Sequence, residues 1–312
     1  KNSKIIEIAS NDGYLLQFFK DKNYDCVGIE PSKSCAEYAR AKNINVIQEF
    51  FDLDLAKDLV EKKNKADLII ANNVLAHVPE INNFVKGVSL LLKQNGVATF
   101  EFQHLLELIK NNQYDTIYHE HYSYLSLLSV NNVFKENGLK IFDVQKINTH
   151  GGSLRVFAQK RSSKKYKINR NFYLIDKIER KSKLDSIKTY KNFQRIADKN
   201  KDDLIKFLLD CKRKKLSVAA YGAAAKGNTL LNYAGIKKDL ISYVCDSAPS
   251  KQNKFLPGTR IPIFPPEYLF KNRPDYLLIL PWNIADEIVT QLDKLKKNKT
   301  KFFVAIPKIK IL

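Results

Sequence analysis

Methionine is absent from all 312 residues, the initiator included. The chain is therefore expected to be a portion of a longer translation product, or one whose modified methionines are omitted, with some local spacings a residue short. Cysteine is almost as scarce: Cys26, Cys35, Cys211 and Cys245 form no CxxC pair. That excludes a redox motif and a zinc knuckle, offers no disulfide framework, and fits a reducing, cytoplasmic setting. No apolar run reaches the ~20 residues that cross a bilayer. No charged-then-apolar leader stands before a cleavage-like site, so neither export nor a membrane partner is expected. Histidine is missing from residues 151–312; all five lie between His77 and His150. Acidic residues are outnumbered, with a net charge of +20. Residues 160–215 alone supply +13 of that, which reads as a basic solvated helical face, and no nucleic-acid partner is expected.

What is present is a regular alternation of apolar runs and helical periodicity. Ile5, Ile6 and Ile8 end in Asn11-Asp12-Gly13, and Leu15, Leu16, Phe18 and Phe19 follow at helical spacing. Cys26–Glu30 predicts a second strand closed by Pro31, Cys35–Lys42 a helix, and Val46-Ile47 a short strand. Ala66–Ala71 suits a strand buried on both faces. Ile81–Leu92 predicts an amphipathic helix stopped at Asn95-Gly96, with a strand over Val97–Phe102. This order predicts an α/β fold with a doubly wound, mainly parallel sheet and a ligand outside the carboxyl ends of its strands. Lys140–Val144 and Leu154–Ala158 predict a hairpin around His150-Gly151-Gly152. Residues 162–213 hold no Gly or Pro and read as helices. A second α/β unit begins at Leu216–Gly222. It continues through a helix over Gly227–Tyr233, strands over Ile241–Asp246, Asp275–Leu280 and Phe302–Ile306, and a Pro-rich loop.

Four segments carry candidate chemistry. Glu7-Ile8-Ala9-Ser10-Asn11-Asp12-Gly13 runs from strand to helix, where small residues admit a ligand and free N–H groups point at it. Its acids repel a pyrophosphate but suit a cation with an amino-acid tail. Glu30, ending the second strand, is placed to accept the two hydroxyls of a ribose. Together they point to S-adenosylmethionine and away from NAD. Asn72 and Asn73, after the buried strand, can bond the cofactor's amino-acid portion, and His77 can face the substrate. A capping Asn and a packed His explain that loop equally well. Tyr118, Glu120 and His121 form a base with its orienting partners: Glu sets the imidazole tautomer, and Tyr donates to a developing oxyanion. Zinc bound by His119 and His121 lacks further ligands at convincing spacing, and no metal is expected. Tyr221-Gly222-Ala223-Ala224-Ala225-Lys226-Gly227-Asn228 is again strand into helix, with the opposite charge, an anion cradle suited to a pyrophosphate. Asp246 ends the next strand where a ribose or base contact would sit. A tightly packed helix start with an exposed Lys is the plainer alternative.

On Glu7–Gly13, Asn73–Pro79, Ile117–His121, His150–Gly152 and the long Tyr221–Tyr233 stretch, the chain resembles the sugar C-methyltransferases acting on nucleotide-linked deoxysugars. The resemblance covers nearly the whole chain. It implies a Rossmann-like domain binding S-adenosylmethionine (1–160), a helical bridge (161–214) and a second Rossmann-like domain holding the sugar nucleotide (215–312). It implies that His121 is the base, with Tyr118, Glu120 and His77 lining the reacting centre. The expected cofactor set is Glu7, Ala9, Ser10, Asn11, Asp12, Gly13, Glu30, Pro31, Ser32, Phe51, Asn72 and Asn73, with S-adenosylhomocysteine as product. The expected substrate set is Tyr221, Gly222, Ala225, Lys226, Gly227, Asn228 and Asp246. A cysteine-rich zinc module and helices covering the cofactor usually precede these domains and are not found before Lys1. Ala9 stands where a Gly is more usual. A proton on carbon is removable near neutral pH only beside a carbonyl, so the expected substrate is a keto sugar, methylated at the enolate carbon. An O- or N-methyltransferase and a non-catalytic sugar-nucleotide-binding protein are the alternatives. Oligomeric state is not visible in the sequence.

Overall fold

The computed structural model describes residues 3–312. The chain forms two compact units: residues up to Leu106 with Glu120–Asp185, and Glu107–His119 with Ser186–Leu312. The elements of the first are β1 (Lys4–Ile8), α1 (Leu16–Lys20), β2 (Asp25–Ile29), α2 (Lys33–Ala41), β3 (Asn45–Ile47), α3 (Leu53–Glu61), β4 (Ala66–Asn72), α4 (Ile81–Leu91) and β5 (Leu92–Gln103). A short α5 (Leu105–Lys110) crosses the boundary, and α6 (Leu127–Glu136), β6 (Leu139–Ile147), β7 (Ser153–Lys160) and α7 (Arg170–Lys181) complete the unit.

Its sheet has seven strands in the order β3-β2-β1-β4-β5-β7-β6, parallel through β5 and antiparallel at β7 and β6. Strand order reverses between β1 and β4, which opens a crevice at their carboxyl ends. Both faces of β1 and β4 bury apolar residues, with Glu7 and Asp67 as the acids within these strands. Ile6, Ile8, Ile69 and Ala71 join the core that takes α3, α4 and α6. Ile5 and Ile70 join the one that takes Leu16, Ala36 and Ala39.

Two local outcomes differ from the sequence pattern. Strand β5 begins at Leu92, so the Asn95-Gly96 pair sits inside it as a bulge between the pairings Ala66↔Leu92 and Leu68↔Val97. A Cβ on Gly96 would crowd the Ala66 and Asp67 carbonyl oxygens at 3.0 Å, backbone that cannot easily give way, and glycine avoids this. Helix α3 has no counterpart among the expected elements. Its start is nevertheless written in Asp52, whose Oδ1 accepts the Leu55 N–H at 2.8 Å.

The second unit holds α8 (Ile187–Arg213), β8 (Val218–Tyr221), α9 (Ala225–Tyr233), β9 (Val244–Cys245), β10 (Ile263–Phe264), α10 (Tyr268–Lys271), β11 (Tyr276–Ile279), α11 (Ala285–Gln291), α12 (Asp293–Lys297), β12 (Lys301–Val304) and β13 (Lys310–Ile311). Its six strands run β10-β9-β8-β11-β12-β13, all parallel except β13. Here too the order reverses beside the first strand, between β8 and β11. The domain bounds differ from the expected 1–160, 161–214 and 215–312. Phe172 and Ile175 of α7 enter the first core, while Ala197, Leu204 and Leu208 of α8 enter the second. The expected bridge is thus divided between the units. Residues 107–119 join the second because Tyr114 is part of its core.

Helix α7 is fastened by one carboxylate. Glu179, fully buried, accepts from His104 Nε2 at 2.7 Å and from the Leu127 and Leu128 N–H groups at 2.7 and 2.8 Å. The first turn of α6 thereby gains the anionic partner that its free N–H groups favour. Glu179→Ala should cost about 3–5 kcal/mol, because two buried donors and one half-buried donor lose their acceptor. Urea unfolding of the variant would show this as a lowered midpoint at unchanged slope.

Candidate functional site

In the first unit the crevice begins where β1 ends. The turn after Ile8 turns sharply, with Ala9 at φ 59° and Asn11 at φ 49°, both left-handed. Ala9 and Ser10 N–H both donate to Ile29 O, so the turn is tied to β2. Glu30, 5% exposed, ties it again: its carboxylate accepts the Asn11 N–H at 3.0 Å and the Ser32 N–H at 2.9 Å. One bond to each oxygen leaves lone pairs for a pair of hydroxyl donors. Glu7 lies buried on β1, its Oε2 unpartnered, and burial pushes its carboxyl up to about 8. Asn72 Oδ1, at the end of β4, is likewise buried without a partner. Asn72 Oδ1 is an acceptor awaiting a donor, and Glu7, protonated below about pH 8, becomes a full acceptor once a cation displaces its proton.

Other expected cofactor residues serve the fold. A Cβ on Gly13 (φ 75°) would lie 2.4 Å from Ile44, so this glycine admits a packed neighbour. Ser10 is fully buried against Gly28, where a Cβ would come within 2.3 Å of its Oγ. Asp12 pairs with Lys42 at 2.7 Å on the surface, and that ammonium holds its carboxyl below the usual range. Asn73 is exposed at φ 53°, and its N–H donates to Glu101 O.

A cavity of about 570 Å³ adjoins the turn, lined by Ile8, Ala9, Pro31 and Phe51 at one side and by His77, Pro79 and Tyr122 at the other. Its wall is mostly apolar, suited to a flat heterocycle. Phe51 is held edge-on to Phe84, ring centroids 5.3 Å apart. His77 belongs to a short helical turn, Leu75–His77, and its Nδ1 lies 2.9 Å from the Glu120 carbonyl oxygen. A carbonyl only accepts, so Nδ1 carries the proton and Nε2 is the imidazole's basic atom. The loop is held on its other side by Tyr122 and Ser123, whose N–H groups both donate to Ala76 O. The His77 and His121 rings stand 4.8 Å apart, and Tyr124 meets His121 edge-on at 6.0 Å. Glu120 thus orients His77 through its backbone, while its side chain is exposed. Tyr118 falls in the segment 107–119 that packs with the second unit. Glu101 belongs to no sequence motif. It is 4% exposed, beside Asn72 in the sheet, and accepts from Thr149 Oγ1 at 2.9 Å and Arg155 at 2.8 Å. A lone acid inside the apolar run of β5 is the signal that marks it.

The second unit repeats the turn with different chemistry. Asp246, just after β9, accepts the Ala223 N–H at 2.6 Å and the Ala248 N–H at 2.8 Å, with Lys251 at 3.5 Å. Gly222 (φ 94°) lets the chain pass the Pro281 ring, which a Cβ would meet at 2.4 Å. Gly227 seats α9 on Leu280, where a Cβ would come within 2.7 Å. Tyr221 is buried, Ala225 exposed, and Asn228 accepts from Asn232. Lys226, in the first turn of α9, reaches Asn283 Oδ1 at 3.3 Å and sits over the Trp282 ring, 4.9 Å from its centroid.

Two family models match the chain: a methyltransferase domain over residues 1–144 and a C-methyltransferase C-terminal domain over residues 148–307. The C-methyltransferase NovU of Streptomyces niveus is 32% identical over 308 residues, covering 99% of this chain and 73% of that protein. This chain belongs to the C-methyltransferase family. A ubiquinone biosynthesis O-methyltransferase of Pelagibacter ubique is 30% identical over 101 residues, 31% of this chain and 40% of that protein. Among solved structures, the PH0226 protein of Pyrococcus horikoshii is 18% identical with a TM-score of 0.43, covering 52% of this chain and 83% of that one.

The protein is thus a methyltransferase enzyme, and S-adenosylmethionine is its methyl donor. The crevice of the first unit fits that cofactor: Glu30 has acceptors for a ribose, the cavity is apolar, and the buried acceptors of Glu7 and Asn72 suit a cationic amino-acid tail. No helix among the described residues is long and apolar enough to cross a membrane.

In this C-methyltransferase Glu7 should make the ligand-free protein sensitive to pH. Its folded-state pKa of about 8 lies above the ordinary 4.5, so between those values the folded state binds the extra proton. Stability contributed there is full below about pH 4.5 and is lost as pH rises through about 8. Glu7→Gln should therefore match wild type at about pH 4 and exceed it at about pH 8.5, by up to about 4 kcal/mol. Chemical denaturation of the two proteins at both pH values, without cofactor, measures the difference.

Proposed function

We propose that the enzyme removes a proton from a nucleotide-linked keto-deoxysugar next to its carbonyl and methylates the resulting enolate carbon. The carrying observation is His77 on the wall of the apolar cavity beside the cofactor turn, with the His121 ring centroid 4.8 Å from its own. Glu7, Asn72 and Glu30 would hold S-adenosylmethionine, with Ala9, Pro31 and Phe51 walling its heterocycle. When bound, the cofactor supplies a methyl group on a sulfonium.

His121 takes the proton in this scheme. Near neutral pH an imidazole accepts it without needing a strongly shifted pKa, once the neighbouring carbonyl has acidified the carbon. His77, its Nδ1–H committed to the Glu120 carbonyl, can donate to an enolate oxygen only as an imidazolium. Tyr118 is then the neutral donor for that oxygen. The apolar cavity wall keeps water from competing for the carbanion. In the second unit, Lys226 and the N-terminus of α9 would take the diphosphate of the sugar nucleotide, and Asp246 would meet its nucleoside. The support is the opposite sign of the two turns: acids in the first, and a lysine at the first turn of a helix in the second.

His121→Ala should lower turnover with a keto-deoxysugar nucleotide by roughly 10²–10⁴-fold. It should also abolish exchange of the substrate's α-hydrogen with D₂O, followed by NMR. A variant with full turnover would show that another group is the base. Methylation without any wild-type α-exchange would instead favour transfer to oxygen, the chemistry named for the Pelagibacter ubique relative, or to nitrogen.

A further inference from the structure

Within the second unit, a buried acid stands beside the lysine of the α9 turn and takes no part in the scheme above. Asp115 belongs to the short turn Tyr114–Thr116 and is 0% exposed. Its Oδ2 accepts the Trp282 indole N–H at 2.7 Å, and its Oδ1 is buried without a partner. The ammonium of Lys226 lies over the face of that same indole. One tryptophan therefore joins an anion and a cation, by its edge and by its face.

We propose that Asp115 is the internal counter-charge of an anion site centred on Lys226, so that a ligand phosphate takes over the lysine and Asp115 gains a proton from solvent. The inference rests on the reading that Lys226 and α9 hold the substrate's diphosphate. Burial pushes the Asp115 carboxyl up to about 6, against the opposing pull of the Trp282 hydrogen bond and the Lys226 charge. Burial pushes Lys226 down, and Asp115 opposes this. Each thus keeps the other charged across a medium of low dielectric. A bound phosphate neutralises Lys226 and brings its own negative charge, so the support for the Asp115 carboxylate is removed and its pKa rises. The Tyr114 phenol beside it is held above its usual range by burial and by Asp115, and remains neutral throughout. From α8, Asp198 accepts from Tyr233 of α9, and Asn200 accepts from Tyr114 at 2.8 Å without carrying charge. By linkage, a proton taken up on binding means tighter binding at lower pH.

Trp282 is the sole tryptophan of the chain, so its fluorescence reports the site directly. The test is titration of the full chain with UDP-glucose and with its thymidine counterpart. Their diphosphates are diesters with constant charge between about pH 5.5 and about pH 8, so a pH effect in that range belongs to the protein. Binding is read by Trp282 fluorescence, and proton uptake by calorimetry in buffers of different ionisation enthalpy. The expected result is net proton uptake near pH 6.5 and a Kd that falls several-fold from about pH 8 to about pH 5.5. Asp115→Asn should bind at least as tightly at neutral pH, with the acid-side pH dependence gone. Lys226→Gln should lose binding at every pH. If neither nucleotide sugar binds, or Lys226→Gln binds as wild type does, the anion-cradle reading falls and this inference falls with it. If binding needs Lys226 but wild type takes up no proton, the cradle stands and Asp115 is not its counter-charge. An Asp115→Asn variant that keeps the full pH slope leads to that same conclusion. Should that variant not fold, the wild-type proton uptake still decides.

Discussion

A carboxylate that accepts two backbone N–H groups at the end of a strand governs both units. Glu30 holds Asn11 and Ser32; Asp246 holds Ala223 and Ala248. In each case one N–H comes from the turn after the first strand and the other from two residues beyond the acid. The turns need this restraint. Ala9 and Asn11 hold left-handed conformations without glycine's freedom, at a cost of about 1–2 kcal/mol each, and only surrounding bonds keep them there. Once fixed, the turn defines the mouth of the crevice, and the placing of Glu7, Asn72 and the cavity wall follows from it.

The same device serves two chemistries because charge is varied around it. In the first unit acids predominate, and Glu7 is buried without a cation of its own. In the second, Lys251 lies beside the holding acid and Lys226 stands in the first turn of α9. A framework of equal geometry can thus take ligands of opposite charge. Strand order reversing beside the first strand puts each turn at the place where helices diverge to opposite faces.

The strands that build these crevices were legible because buried parallel strands read as mainly apolar runs: β1, β4, β8 and β11 all appear where Ile, Leu, Val and Ala cluster. The cofactor was also legible, from the acids around the first turn, and the family from longer stretches, above all Tyr221–Tyr233. Less legible was anything that depends on distant partners. Gly13 and Gly227 look like ligand-approach glycines in sequence, and only Ile44 and Leu280 show that they admit packing neighbours. Glu101, Glu179 and Asp115 lie in no motif, since an isolated acid says nothing of the donors that meet it from elsewhere in the chain. His104, without an assignment in sequence, is explained by Glu179. The boundary at Asp185 was hidden because α7 and α8 share one basic, glycine-free composition while facing different cores.

The membership of residues 107–119 in the second unit has a further consequence. The chain passes between units three times, at 106/107, 119/120 and 185/186. The halves are therefore interleaved and not strung in series. Tyr114 completes the second core from within the span of the first. No single cut separates the two units: one at 185/186 keeps the first whole but takes Tyr114 from the core of the second, and one at 106/107 keeps the second whole but splits the first.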